Sequence, residues 1–480
     1  MLMRTKKVHN VNSQRWTTLT VCLVGAFMTL LDISILNVAL PSIQKSLYVS
    51  ESGLQWIVCG YTLIYGLVLV PAGRLGDTRG RKMVFTIGLA IFILASVLTA
   101  VSIGEVWIII ARLGQGVGAG VLMPQITGLI QQIFPPLERG KAFGLFGAVI
   151  GVSTSVGPLI GGMIIQIVGT SDGWRWIFGV NVLIGIVVLP LSYRLIPELA
   201  EHRFVDGEGA ERNDLDLLGI VLLGLAMVLL LLPVIQIQQW HGNSKWLLVV
   251  IGVVLFALFM IWEQHCSKTQ HIPLVNVGLF RTRSFSVGIF IGMLFFAGSS
   301  SLPFTLSLYL QNGIGYTAIM TGLVITPFAI GSAASSAASG RYMLQFGHFI
   351  VTGALVLVGV GFIGIMAVHH IPGNTSRWNM VLPLFIAGLG SGTLISGIQT
   401  LTLRKVPRND AGSASAVLQA SLRISTTIGN AIVGSVFYSK VNSSHGNWAD
   451  AFQTGLMIGL TFVAAALVVA VRYLFQVERA

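Results

Sequence analysis

The sequence predicts an all-α polytopic membrane protein with fourteen transmembrane helices, and three observations carry that prediction. Of 480 residues, 54% are hydrophobic and only 10% are charged, with a mean hydropathy of +0.82. A soluble fold of that composition would lack the polar surface needed to cover it. Apolar runs of about 18 or more residues recur from end to end, each long enough to cross a hydrocarbon core of about 30 Å as a helix. All but five of the Lys and Arg residues in the connecting loops fall on the amino-terminal side. By the positive-inside rule that asymmetry places both termini in the cytoplasm.

The spans start near Thr17, Leu54, Val84, Glu105, Ala142, Trp174, Leu215, Trp246, Ser284, Ile319, His348, Asn379, Ala411 and Ala451. The first follows Arg4, Lys6, Lys7 and Arg15 as the core of a signal peptide would. At about 24 residues it is long for one, and no small-residue cleavage site follows, so it reads as an uncleaved span. The second span ends in "GRLGDTRGRK", Gly73 to Lys82, which packs four Arg or Lys and one Asp into ten residues. A degenerate echo, "GRYMLQFG" from Gly340 to Gly347, comes 267 residues later, and "PPLERGKAFG" at Pro136 has a looser counterpart 271 residues on at Pro407. Two pairs at nearly one spacing indicate parallel six-helix repeats with two spans inserted between them, a recurrent plan of secondary transporters. The expected division is 1–16 as a cytoplasmic segment, 17–196 as the first six-helix bundle and 197–283 as cytoplasmic loops with the two inserted helices. A second six-helix bundle over 284–475 and a tail over 476–480 complete it.

Several classes of function are excluded at this level. The net charge of +12 has no soluble basic domain behind it, so nucleic acid is not an expected partner. Cys22, Cys59 and Cys266 show neither metal-ligand nor CxxC spacing, so no disulfide framework, zinc site or other metal is expected. There is no GxxxxGK[ST] loop, no room for an ATPase domain and no filter-like sequence, which argues against an ATP-driven pump and a channel. "NSS" at Asn442 is formally a glycosylation acceptor, a tripeptide common by chance. No stretch outside the spans is large enough for a catalytic domain, and no enzyme is expected.

Four motifs give the chain a family likeness. "LDISILNVALP" (Leu31 to Pro41), "GRLGDTRGRK", "ARLGQGVGAG" (Ala111 to Gly120) and "GPLIGG" (Gly157 to Gly162) stand in the order of the signatures of the fourteen-span drug:proton antiporter family of the major facilitator superfamily. The chain resembles that family over nearly its whole length. The resemblance implies a major facilitator fold of two six-helix repeats plus two inserted helices.

Each motif has a physical reading beside the one the family implies. In the loop motif, Arg74, Arg81 and Lys82 satisfy the positive-inside rule as a plain anchor would, whereas Gly73, Gly76 and Gly80 permit a tight turn and Asp77 is left unexplained. In the family the matching aspartate meets the amino-terminal end of a helix in the other half, where a helix dipole favours an anion. Here that helix is the span starting near Ala411, and Asp77 with Arg81 is expected to form a conformational latch. Asp32 lies in the first span among apolar residues, and an ionisable group at such depth is a functional candidate by default. The alternative is a neutral Asp bonded to a neighbouring helix. The family's matching aspartate is implicated in proton coupling, and its matching arginine, here Arg112, in proton transfer or in lowering the proton affinity of the coupling carboxylate. Snorkelling to the outer interface is the plain alternative for Arg112. In the fifth span Gly144, Gly157, Pro158, Gly161 and Gly162 match the antiporter signature, associated with export, although Ser153 stands where glycine is usual. Small residues that let helices approach closely would read the same way.

Scattered polar and aromatic residues are candidates for a wet substrate cavity: Asn37, Tyr61, Tyr65, Gln125, Asn181, Gln399, Gln419 and Arg423, with Asn430, Trp56 and Phe304 as weaker ones. Asn37 stands five residues after Asp32, about 140° around the helix, so the two are not expected to face one ligand. Arg423 has no acidic neighbour in its own span. Pairing with Asp32, meeting an anionic substrate, or resting on carbonyl groups are all open for it.

The expected function is export of amphipathic or cationic compounds in exchange for protons, in the cytoplasmic membrane of a bacterium. The expected partners are the substrate, protons and the lipid bilayer; the chain acts as a monomer and uses no cofactor beyond the proton gradient. A translocator of a lipid or lipid precursor, or a dedicated metabolite exporter, is the alternative on the same scaffold. A membrane sensor or assembly subunit that has lost transport is a further one, disfavoured by the presence of Asp32, Asp77 and Arg112 together.

Overall fold

In a computed structural model of the chain, residues 2–169, 171–198, 216–235, 240, 242, 244–268, 277–339, 343–369, 377–403, 406, 411–444 and 446–478 are described. Some side chains within these ranges, among them those of residues 2–13, Asp77 and Gly144, are not. The described elements are helical throughout. They are α1 (Leu2–Leu47), α2 (Glu51–Arg79), α3 (Arg81–Ala100), α4 (Glu105–Ile133), α5 (Pro136–Val168), α6 (Gly173–Leu195), α7 (Leu217–Ile235) and α8 (Lys245–Lys268). There follow α9 (Arg283–Ser299), α10 (Ser301–Leu308), α11 (Ala318–Ser339), α12 (Met343–His369), α13 (Val381–Leu403), α14 (Ala411–Ser443) and α15 (Trp448–Glu478).

Local chemistry sets several of these boundaries. The Ser50 hydroxyl accepts from the Gly53 amide at 2.9 Å and starts α2, while Glu105, in the first turn of α4, accepts from the Ser50 amide and hydroxyl at 2.8 and 2.9 Å. Gly80, at φ +90°, makes the turn between α2 and α3, a conformation that L side chains rarely adopt. Pro136 occupies the first position of α5, where its missing amide hydrogen removes nothing. One passage is irregular: α9 passes into α10 at Ser300, and a π-helical turn over Tyr309–Gly313 ends it.

With α9, α10 and that turn taken as one passage, twelve of the described helices are long and apolar enough to cross a membrane. The sequence reading expected fourteen. The other two are α7, whose described apolar stretch runs only from 218 to 230, and α14, in which Ser421, Arg423, Thr426, Thr427 and Asn430 dilute the hydropathy. Helix α14 nevertheless packs against α2, α9 and α15 in the interior. Polar composition there reflects an internal position.

Helices α1 to α6 pack among themselves, chiefly α1 on α5 and α6, α2 on α4, and α3 on α4 and α6. In the second half α9 lies on α13, α14 and α15, α12 on α13 and α15, and α11 on α13. Two seams join the halves, α5 against α11 and α2 against α14. Helices α7 and α8 pair with each other, and α7 rests on the α2–α14 seam, where Met227 packs with Cys59, Leu63 and Ile424. Large apolar residues face outward around the molecule, among them Leu94, Ile110, Leu183, Val253, Phe290 and Ile363. So broad an exposed apolar surface suits lipid and not water, and makes this a multi-pass membrane protein.

Candidate functional site

Helix α1 carries Asp32 into the middle of the first half, where its side chain is wholly buried. Three side chains from two other helices meet it there. Arg112 on α4 donates from Nη1 to Oδ2 at 2.5 Å, Gln115 on α4 donates from Nε2 to Oδ1 at 3.1 Å, and Asn181 on α6 donates from Nδ2 to Oδ1 at 2.6 Å. Gln115 stands three residues after Arg112, so both point from one face of α4. It also accepts from Arg112 Nη1 at 2.8 Å and from the Thr99 hydroxyl at 3.2 Å, and donates to Ser96 at 2.8 Å. A buried ion pair is tolerable only when its remaining donors and acceptors are satisfied. The two amide side chains and the hydroxyls of α3 do that here.

Arg112 also reaches the seam. Its Nε donates to the Ile57 carbonyl of α2 at 3.3 Å, and its guanidinium lies over the Tyr61 ring at 4.3 Å. Tyr61 meets Tyr65 edge to face at 6.1 Å between centroids, and the Arg423 guanidinium of α14 lies over the Tyr65 ring at 4.6 Å. The two intramembrane arginines, one from each half, thus flank a tyrosine pair on α2. Next to them the Thr62 and Thr427 hydroxyls bond across the seam at 2.9 Å, and Cys59 Sγ donates to the Thr427 carbonyl at 3.8 Å.

The antiporter-signature residues place α5 between α1 and the other half. A Cβ on Gly161 would stand 2.8 Å from Ile35 of α1, and the Pro158 carbonyl of α5 faces Gly322 of α11. Ser34 of α1 donates to the Ser153 carbonyl at 2.8 Å. The Ser153 hydroxyl turns back to the Val149 carbonyl of its own helix at 2.6 Å, so serine fits without disturbing the contact. Gly144 lies outside the described side chains.

The charged turn is anchored within the first half as follows. The Arg81 guanidinium lies where a side chain on Gly128 of α4 would be, and Lys82 pairs with Glu198 at 3.3 Å and overlies Tyr193 at 5.1 Å. Gly73 faces Ala416 of α14, and Arg74 is half-buried on α2. The Asp77 side chain and that of Ala411, the two ends of the expected latch, lie outside the described residues.

The other sequence candidates divide. Asn181 joins Asp32, and Tyr61, Tyr65 and Arg423 form the tyrosine-arginine stack. Gln125 is fully buried and donates to the Ala72 carbonyl of α2 at 2.8 Å, beside Gly76, a structural tie between α4 and α2. The Asn37 carbonyl accepts from Ser307 of α10 at 2.6 Å, while its side-chain amide turns back to Ile33 at 3.5 Å. Asn430 accepts from the hydroxyl of Ser300, between α9 and α10, at 3.2 Å, and Gln399 and Gln419 are half-buried on α13 and α14. Trp56 packs in the α7 seam and Phe304 against Tyr438. The sequence reading missed Gln115, Ser96 and Thr99; only the spacing of Gln115 from Arg112 signalled any of them. Glu105, seven residues before Arg112 on α4, holds Ser50.

Comparison with known proteins agrees with this architecture. The Major Facilitator Superfamily profile matches residues 22–430. The chain is 33% identical over 436 residues, 90% of it and 74% of the relative, to a probable actinorhodin transporter of Streptomyces coelicolor. It is 32% identical over 431 residues, 89% of it and 76% of the relative, to the multidrug resistance protein Stp of Mycobacterium tuberculosis. Its fold matches the crystal structure of the human organic anion transporter MFSD10 with a TM-score of 0.64, at 16% identity, over 95% of this chain and 99% of that one. With two helical halves meeting at α2–α14 and α5–α11 and a buried Asp–Arg pair beside the seam, the chain belongs to the major facilitator superfamily, among its drug-efflux transporters, and is a transporter of small molecules, not an enzyme.

Proposed function

We propose that the protein is a proton-coupled antiporter that exports amphipathic compounds from a bacterial cell by alternating access, acting as a monomer, without a cofactor and with both termini in the cytoplasm. The observation that carries this reading is the Asp32–Arg112 pair, wholly buried yet tied to α2 at the seam. While Asp32 is ionised, Arg112 is shared between α1 and α2. Protonation of Asp32 cancels its half of the attraction, and Arg112 is left held by Gln115, the Ile57 carbonyl and the Tyr61 ring. The load moves onto α2, one side of the α2–α14 seam, and alters the balance between states in which the seam is closed at one end or the other. Proton and substrate each shift that balance only by their difference in affinity for the two states. The relatives named for actinorhodin transport and multidrug resistance support drug-like cargo.

The deciding experiment is efflux from proteoliposomes with an imposed pH gradient. Export is expected to follow the gradient and to stop in Asp32→Asn. Export that persists after the gradient is collapsed, or an Asp32→Asn protein that behaves as the parent, defeats the coupling scheme. Lipid cargo in the same assay separates a drug exporter from a lipid translocator.

A further inference from the structure

We propose that Arg423, seated on the Tyr61–Tyr65 pair at the α2–α14 seam, is an anion-recognising subsite, and that the exported compounds are amphipathic organic anions. This rests on the transport reading above and names its substrate class. The argument is one of charge balance. Asp32 is the carboxylate sunk deepest in the first half, and Arg112, Gln115 and Asn181 occupy it. A cationic drug therefore finds no free negative charge there. Among the described residues no carboxylate pairs with Arg423. Its guanidinium rests on the Tyr65 ring, a contact that orients the cation and leaves its charge intact. Withdrawing an ion from water costs several kcal/mol, so a cation held this way gains from an anion that enters beside it.

The surroundings suit such a ligand. Arg423 is half-buried on α14, and its neighbour Ile424 turns to the seam cluster under α7, while the guanidinium lies over Tyr65 of α2. The Tyr61 hydroxyl is buried without a hydrogen-bond partner, on a ring that the Arg112 guanidinium overlies and that meets Tyr65 edge to face. A guanidinium offers a carboxylate or sulfonate two parallel N–H donors, which a lysine cannot reproduce. Such an anion belongs either to a drug-like aromatic acid or to an anionic lipid.

The test uses purified full-length protein and three probes that share one ring system: pyrenebutyrate, its neutral primary amide, and pyrenebutylamine. Binding is read by energy transfer from tryptophan. Pyrenebutyrate is expected to bind at least about tenfold more tightly than the amide, roughly the free energy of one charge-assisted contact. In Arg423→Gln that preference disappears, in Arg423→Lys part of it remains, and binding of the amine does not fall in either. A preference for the amine in the parent, no binding of pyrenebutyrate, or an anion preference that survives Arg423→Gln overturns the proposal. Elution of Arg423→Lys as a single species shows that the substitution site tolerates change. Displacement of pyrenebutyrate by naphthoate or by phosphatidylglycerol supports the subsite and names its source; displacement by neither refutes it. In proteoliposomes the two readings separate. Gradient-driven export of the amine in preference to pyrenebutyrate keeps the antiporter and removes the subsite, whereas anion binding lost in Arg423→Gln without any gradient-driven export does the reverse.

Discussion

A Cβ on Gly162 of α5 would stand 2.6 Å from the Cα of Ile319 on α11, nearer than real side chains come to a backbone atom. The seam at this height is two backbones in contact, and relative movement of the halves must slide or part them there. Gly162→Val is expected to lose about 1–3 kcal/mol of stability through overpacking and to abolish transport. Gly104→Ala, where nothing lies within 4 Å, is the matched control and should leave both unchanged. Thermal unfolding in detergent and proteoliposome efflux check the pair.

The Asp32–Arg112 pair makes a prediction about stability alone. Arg112→Gln leaves a buried charge with one fewer partner and should cost about 3–5 kcal/mol, while the double variant Asp32→Asn with Arg112→Gln should recover most of that loss. Denaturation midpoints of the two singles and the double complete the cycle. Additive losses would mean that the two groups do not interact.

Gln115 makes the most hydrogen bonds in the site, with Asp32, Arg112, Ser96 and Thr99. Gln115→Leu keeps its bulk and strips those bonds. The expected loss is about 1–3 kcal/mol of stability, the toll of buried polar groups left unmet, together with slower gradient-driven export. Restored export in Gln115→Glu is not expected, because a second carboxylate would compete with Asp32 for Arg112.

Cys59 offers a native reporter of the seam. It is buried and donates to the Thr427 carbonyl, so maleimide labelling should be slow in the resting protein and accelerate whenever α2 and α14 part. Cys22, buried in α1 away from the seam, should stay unlabelled under the same conditions. Mass spectrometry of both peptides with and without a pH gradient measures the difference, and equal rates would show that the seam does not open at Cys59.

Much of this architecture was legible in the chain because a bilayer leaves few options: backbone polar groups must be satisfied internally, so long apolar runs must be helices. Asp32 and Arg112 stood out singly for the same reason. That they meet was not legible, since 80 residues separate them and only packing of α1 against α4 joins them. Gln125 and Asn181 show the limit of polarity as a guide. Both are buried amides in apolar helices, yet one ties backbone to backbone and the other bonds the carboxylate, and sequence spacing does not distinguish the two. Helix α14, read in the sequence as the span starting near Ala411, carries serines, threonines and an arginine that lower its hydropathy although it packs in the interior.

The inserted pair has a consequence for the two flanks of the molecule. With Met227 of α7 wedged over Cys59 and Ile424, one flank of the molecule is caulked by the chain itself. Among the described residues the opposite flank has no such cover: Val152 and Met163 of α5 and Leu323 and Ile330 of α11 are exposed there. Among the described residues one seam is thus covered by the chain's own helix and the other meets lipid directly, so the two flanks of the molecule differ.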